Sequence, residues 1–302
     1  TKSSLVVAFD FHSEFRGYKE YEDTCSYVSG LIYFSHMGSK DSGYVDVILN
    51  PITGKYASLT KPRQNIYSCS YLGFDPIDKQ FKVLSKAYPL CSNWDPHRIL
   101  TLGAGKLRWR SKINFPGYKF GFSKRICING VLFHLAKTDY EIHIVCFDVR
   151  SEKFKFIDTG SHHALSGKFV NYKGKLGVIS LNFDKADNTA ELRMWVLEDV
   201  ENPKWSKHVY TWPKHAPVNP YYVSIAGVTA TGDIILTMDN FYPNSPFYVL
   251  YFNPERSTLQ SVEIQGLGNS GAVYAFVDHV EDLNANEPLK FCSISEEGAS
   301  DN

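Results

Sequence analysis

Short apolar runs alternate with polar turns along all 302 residues, and helical periodicity sustained over a dozen residues is nearly absent. Runs such as Phe247-Tyr-Val-Leu-Tyr-Phe252 end in Asn, Asp, Gly or Pro, the punctuation of strands. One window is ambiguous: in residues 190–199, Leu192, Trp195 and Val196 mimic the i, i+3, i+4 spacing of a helix. The repeat around it decides for a strand.

That repeat has two devices. The first is an apolar run, a turn opening with Asn or Asp, and an alternating run. It reads Val47-Ile-Leu-Asn50-Pro-Ile-Thr-Gly-Lys-Tyr56, Val145-Cys-Phe-Asp148-Val-Arg-Ser-Glu-Lys-Phe154 and Leu250-Tyr-Phe-Asn253-Pro-Glu-Arg-Ser-Thr-Leu259, with a looser copy from Trp195 through Asp199 to Trp205. An Asn or Asp opening a turn accepts backbone N–H bonds and a following Pro presets φ, so these are tight hairpins. The second device precedes each by about twenty residues. It is a pair of short strands about a Gly turn, at Gly30, Asn129-Gly130, Gly174 and Gly232. Asn-Gly is a strong two-residue hairpin signal.

Together the devices predict four-stranded units at 24–59, 124–157, 168–210 and 222–264. A further unit at 68–113 uses Asp75-Pro76 in its first turn and a turn at Gly103 in its second. Repeats of about 40 to 55 residues with four strands each are the signature of a β-propeller. The expected fold class is therefore all-β and propeller-like, with about five four-stranded blades. Residues 5–11 and 272–278 resemble each other and are expected to pair as a short closing blade. Residues 1–282 then form a single domain, and the polar segment 283–302 is expected to be disordered.

In such a blade the first and third turns share one end, and the central loop and the link to the next blade share the other. The irregular second end is where binding residues are expected. Its aromatic and basic content supplies the candidates Tyr88, Trp94, His97 and Arg98 in unit two, Tyr140 in unit three, His162 and His163 in the link after it, and Phe241 and Tyr242 in unit five. Trp, Tyr and Arg dominate interface hot spots because they bury large area at low entropic cost.

Composition narrows the function. With 32 Lys+Arg against 32 Asp+Glu the formal net charge is zero, which argues against nucleic acid and anionic membrane as partners. Apolar runs stop at about six residues, far short of the ~18 of a spanning helix. The 6 Cys form no CxxC pair, and no Asn-x-Ser/Thr sequon occurs, so a reducing cytoplasmic or nuclear compartment is expected. The 19 Tyr and 20 Phe suit half-buried strands.

Motifs for chemistry are sparse. Leu102-Gly-Ala-Gly-Lys106 lacks GxxxxGK spacing, a following Ser or Thr and a following helix, and reads as a turn. The pair His162-His163 lacks the further ligands a metal needs. Gly268-Asn-Ser-Gly271 is not spaced as a nucleophile elbow. No cofactor is expected. Asp95, Asp139 and Asp184 on the irregular end leave open a carbohydrate-binding or glycoside-active propeller.

Tyr71-Leu-Gly-Phe-Asp-Pro-Ile-Asp-Lys-Gln-Phe-Lys-Val-Leu84, His97-Arg-Ile-Leu-Thr-Leu-Gly103 and Ile126-Cys-Ile-Asn-Gly-Val-Leu132 resemble the plant F-box-associated domain of type 3. So do Val145-Cys-Phe-Asp-Val-Arg-Ser-Glu-Lys-Phe154, Asn171-Tyr-Lys-Gly-Lys-Leu-Gly177, Trp195-Val-Leu-Glu-Asp199 and Trp205-Ser-Lys-His208. The resemblance runs from about residue 5 to 282. It implies a non-catalytic propeller that captures a target protein for ubiquitination, while a preceding F-box binds the Skp-type adaptor and cullin of an SCF ligase. No F-box precedes Leu5 and the chain opens Thr1-Lys-Ser-Ser4 without Met, so adaptor and cullin contact is expected only through an F-box outside this sequence. A ligase-free interaction scaffold is the remaining alternative.

Overall fold

The computed structural model describes residues 15–16, 25–39, 43–59, 68–87, 97–103, 109–110, 120–137, 141–159, 167–184, 189–213, 218–238, 246–265 and 275–277. They form strands almost throughout, with one short 3-10 helix, Pro220–Tyr222.

Five antiparallel sheets follow one another along the chain. Sheet one runs β1 (Phe15–Arg16), β2 (Cys25–Val28), β3 (Leu31–Ser39), β4 (Gly43–Leu49) and β5 (Tyr56–Leu59). Strand β2 pairs with the first half of β3, from Cys25↔Phe34 to Val28↔Leu31, and β1 with its second half, as Phe15↔Ser39. Sheet two holds β6 (Ser68–Asp75), β7 (Gln80–Ala87), β8 (His97–Thr101) and β9 (Trp109–Arg110). Sheet three holds β10 (Phe120–Ile128), β11 (Val131–Lys137), β12 (Ile142–Asp148) and β13 (Phe154–Asp158). Sheet four holds β14 (Lys168–Tyr172), β15 (Lys175–Asp184), β16 (Thr189–Asp199) and β17 (Lys204–Thr211), and sheet five β18 (Val223–Val228), β19 (Ile234–Met238), β20 (Phe247–Asn253) and β21 (Thr258–Ile264). Sheets two to five are the consecutive four-stranded meanders of propeller blades, and β2 to β5 form the same meander in sheet one, with β1 added alongside β3. The helix-like window at 190–199 is strand β16, whose alternate residues Leu192, Met194 and Val196 are buried.

The turn chemistry read from sequence is present. Asn129 and Gly130 have φ of 49° and 84°, the successive positive values of a type I′ hairpin turn, and Ser29-Gly30 and Lys173-Gly174 repeat it. At Asn50, Asp75, Asp148 and Asn253 the side-chain Oδ1 accepts a turn N–H, from Ile52 (2.9 Å), Ile77 (2.9 Å), Ser151 (2.6 Å) and Arg256 (2.9 Å). Four residues on, each turn has a residue at positive φ: Gly54, Lys79, Glu152 and Ser257.

The sheets belong to two compact units, one to three in the first (to Phe156) and four and five in the second (Ile157–His279). In the first unit, Leu31, Ile48 and Ala57 of sheet one pack with Leu72, Phe81 and Val83 of sheet two. Tyr71, Leu84 and Ile99 pack with Leu132, Phe147 and Val149 of sheet three. In the second unit, Val170, Ile179, Met194 and Val196 meet Ile225, Ile234, Leu250 and Phe252. The expected closing blade lies outside the described residues except for 275–277, where Val277 sits so close to Gly227 that a Cβ there would come within 2.9 Å of it. The expected tail, 283–302, also lies outside them.

Candidate functional site

In each meander the two-residue and Asn/Asp turns occupy one end of the sheet, and the central loop and outgoing link occupy the other. At this link end of the second unit the described residues include Phe183 and Asp184 finishing β15, Glu191 and Arg193 near the start of β16, and, from the link, Trp212, Pro213 and Val218 to Tyr222. Both described parts of the link are anchored. Trp212 N–H donates to Ala190 O (2.8 Å), and Trp212 and Val218 are buried in the core between sheets four and five. Asn219 Oδ1 accepts from Tyr221 N (2.9 Å), Asn219 O accepts from Tyr222 N (3.1 Å), and Pro220 takes the first helical position, where its lacking N–H costs nothing.

This brace presents two adjacent aromatic rings to water: Tyr221 is 52% and Tyr222 44% exposed. They meet edge to face, with centroids 5.1 Å apart at 87°. Phe183, which packs on the buried core, meets Tyr221 at 6.0 Å and 60°. On the opposite face of β16, Arg193 donates to Glu191 Oε2 from Nε (3.1 Å) and Nη2 (2.8 Å), so these two charges neutralise each other.

The first unit carries a different constellation, fully interior. Tyr33 Oη donates to Asp46 Oδ2 (2.7 Å), Ser70 also bonds Tyr33, and Ser70 Oγ lies 3.2 Å from Ser85 Oγ. Burial first, then the Asp46 charge, push the Tyr33 hydroxyl well above its ordinary range. Tyr71 stacks on buried His134 (4.6 Å, 19°), and the Arg125 guanidinium lies over Tyr71 and donates to Ser35 Oγ (3.3 Å). These bonds knit sheets one, two and three, and buried polar networks of this kind fix packing.

At the turn end, Lys82 Nζ of β7 donates to Val149 O (2.7 Å), Arg150 O (3.4 Å) and Glu152 Oε1 (2.8 Å), and Arg110 Nη2 donates to the same carboxylate oxygen (2.6 Å). Arg150 returns the contact to Asp78 Oδ2 (3.2 Å). Burial pushes the Cys127 thiol up to about 11 although the Phe74 backbone bonds it. It is no activated nucleophile.

One arrangement invites comparison with a catalytic triad. Ser206 Oγ donates to Glu198 Oε1 (2.6 Å) and lies 3.3 Å from His208 Nε2. The serine stands between acid and imidazole, whereas a nucleophilic serine gives its proton to a histidine oriented by the acid. The hydroxyl here bridges an exposed carboxylate and a half-buried imidazole. Among the described residues no three His, Cys, Asp or Glu gather as metal ligands. No helix among them is long and apolar enough to cross a membrane. Gly103, of the phosphate-loop lookalike, follows β8 in a turn with φ of +83°.

Of the residues singled out from sequence, His97 and Arg98 open β8 at the link end of sheet two, opposite Lys86 and Ser85. Tyr88, Trp94, Tyr140, His162, His163, Phe241 and Tyr242 lie outside the described residues, as do Asp95 and Asp139. Asp184 closes β15 opposite Thr189. Sequence reading did not single out Phe183, Tyr221 and Tyr222. The cue was local: an Asn-Pro cap directly before two tyrosines, inside a link already assigned to the binding end.

The blades match what known sequences indicate. The chain belongs to the F-box associated beta propeller domain family, whose profile covers residues 1–280. It is 49% identical to F-box protein At3g57590 of Arabidopsis thaliana over 92% of this chain and 72% of that protein. It is 50% identical to putative F-box protein At1g30925 of the same plant over 96% of this chain and 53% of that protein, so it spans about half of that relative's length. Among solved structures, polysaccharide lyase Uly1 aligns over 86% of this chain and 76% of its own at TM-score 0.42 and 13% identity. Nothing about its activity carries over at that likeness.

Proposed function

We propose that this domain is the target-recognition part of an F-box protein, holding proteins for ubiquitination by an SCF-type ligase and performing no chemistry itself. The carrying observation is the family match over residues 1–280, shared with F-box proteins that extend beyond this domain. The Skp-type adaptor and cullin are then reached through an F-box, and the domain works in cytoplasm or nucleus.

The link end of the blades is the recognition end in this reading. Its support is the rigid display of Tyr221 and Tyr222 beside a core-anchored Phe183. Preorganised aromatics bind at low entropic cost. The candidates Tyr88, Trp94, His97, Arg98, Tyr140, His162, His163, Phe241 and Tyr242 belong to the same proposal. Affinity purification of the F-box protein from plant cells tests it: adaptor, cullin and a reproducible set of targets are expected together. Recovery of targets without the adaptor would contradict the ligase role.

A further inference from the structure

We propose that β21 pairs edge to edge with β21 of a second copy of this chain, antiparallel about a two-fold axis at Ser261, so that sheet five continues from one copy into the other. Three observations lead there.

The first is the edge itself. β21 is the last strand of sheet five, and all of it pairs with β20, from Phe247↔Ile264 to Asn253↔Thr258. An antiparallel strand directs the N–H and C=O of alternate residues away from its one neighbour, and no other strand among the described residues takes these up. Gln260, Ser261, Val262 and Glu263 are all exposed. Successive side chains point to opposite faces, so β21 stands open to water on both.

The second is what the last strands of the other sheets carry. Folded proteins guard such edges with short strands, Lys, Pro or a bulge. β5 has 4 residues and β9 has 2. β13 carries Lys155, and β17 carries Lys204 and Lys207 and meets β16 with a register shift between Leu197 and Asp199. β21 runs for 7 residues in unbroken register with neither Lys nor Pro, so its sequence leaves the edge fit for pairing.

The third is self-complementarity. With Ser261 on the axis, Gln260 stands opposite Val262 of the second copy and Leu259 opposite its Glu263, so the one charge of the strand meets no like charge. Thr258 stands opposite Ile264, two β-branched side chains. A target segment would cover one such edge, whereas a second copy covers both at once and the two-fold pairing closes as a dimer.

Sedimentation velocity of the chain from about 1 to 300 μM tests this, with a monomer–dimer equilibrium expected. Ser261→Lys sets two ammonium groups against each other on the axis and should weaken dimerisation at least about tenfold. Ser261 is exposed, so the thermal midpoint of this variant at the dilute end should match that of the wild type. Gln260→Lys/Val262→Glu places opposite charges across the same axis and should keep the dimer, while Gln260→Lys/Val262→Lys should lose it. A chain still monomeric at about 300 μM would overturn the proposal, as would a dimer that neither lysine variant weakens. A monomeric wild type whose captured targets are lost in Ser261→Lys would also overturn it, in favour of a target segment at this edge.

Discussion

Lys82 and Glu152, seventy residues apart in sequence, meet at 2.8 Å and join the turn ends of sheets two and three. The lysine is almost wholly buried and spends its donors on Val149 O and Arg150 O as well as the carboxylate. Glu152 reaches it from a left-handed backbone, φ 58°, a conformation that costs a non-glycine residue about 1–2 kcal/mol. The sequence tolerates that cost where the side chain binds two cations, Lys82 and Arg110.

Glu152→Gln should therefore lower stability by about 2 kcal/mol at neutral pH, since it strands a buried ammonium. Burial pushes the Glu152 carboxyl up, and the hydrogen bonds from Arg110 and Lys82 more than reverse it, leaving it below the ordinary value. A depressed carboxyl stabilises fully above its unfolded pKa, and the contribution fades as pH falls through the folded one. The gap between wild type and Glu152→Gln in denaturant titrations should be constant from pH 8 to about 6 and close below about pH 4. A gap that persists unchanged at acid pH would contradict the ion-pair account.

The other left-handed positions separate strain from interaction. Lys79 (φ 50°) and Ser257 (φ 49°) occupy the same turn position as Glu152. Lys79→Gly and Ser257→Gly should each stabilise by about 0.5–1 kcal/mol through relief of strain. Glu152→Gly should destabilise, because it removes the carboxylate along with the strain. Thermal midpoints of the three variants decide it.

Gly130 combines φ of +84° with a neighbour: a Cβ there would stand 3.1 Å from Pro76 Cδ in the adjoining sheet. Gly130→Val should cost about 2–3 kcal/mol, from backbone strain and the contact together. Asn129→Gly should be nearly neutral. Equal stability of Gly130→Val and wild type would argue against the turn geometry.

Much of this architecture was legible in the amino-acid sequence, and the reason is local. The unit read as 24–59 is β2 to β5, Cys25 to Leu59, and the one read as 222–264 is β18 to β21, Val223 to Ile264. Asn129-Gly130 fixes a turn within two residues, and Asn50 or Asp148 within four, so no distant contact is needed to read them. The extra pairing of Phe15 with Ser39 was not legible, because a two-residue strand carries no period. Nor was the Lys82 to Glu152 contact, which depends on how two sheets pack. At the link end the sequence places Tyr221 and Tyr222 in a link, but their exposure follows from Trp212 and Val218 taking the buried positions instead.

Cys127 lies between β10 neighbours with its thiol pushed up to about 11 and bonded to the Phe74 backbone. It should resist alkylation at pH 8 in the folded protein and react on unfolding. Peptide mass spectrometry after timed iodoacetamide treatment reads this directly. Rapid native labelling at Cys127 would mean that the seam between sheets two and three opens.

The central claim is that this propeller domain captures targets at its link end for an SCF ligase. The most direct measurement is quantitative affinity purification of the F-box protein from plant cells, wild type against Tyr221→Ser/Tyr222→Ser. The account predicts equal recovery of Skp-type adaptor and cullin in both, with a defined set of proteins strongly depleted from the variant. Absence of adaptor and cullin from the wild-type purification, or an identical set of captured proteins in both, would contradict it.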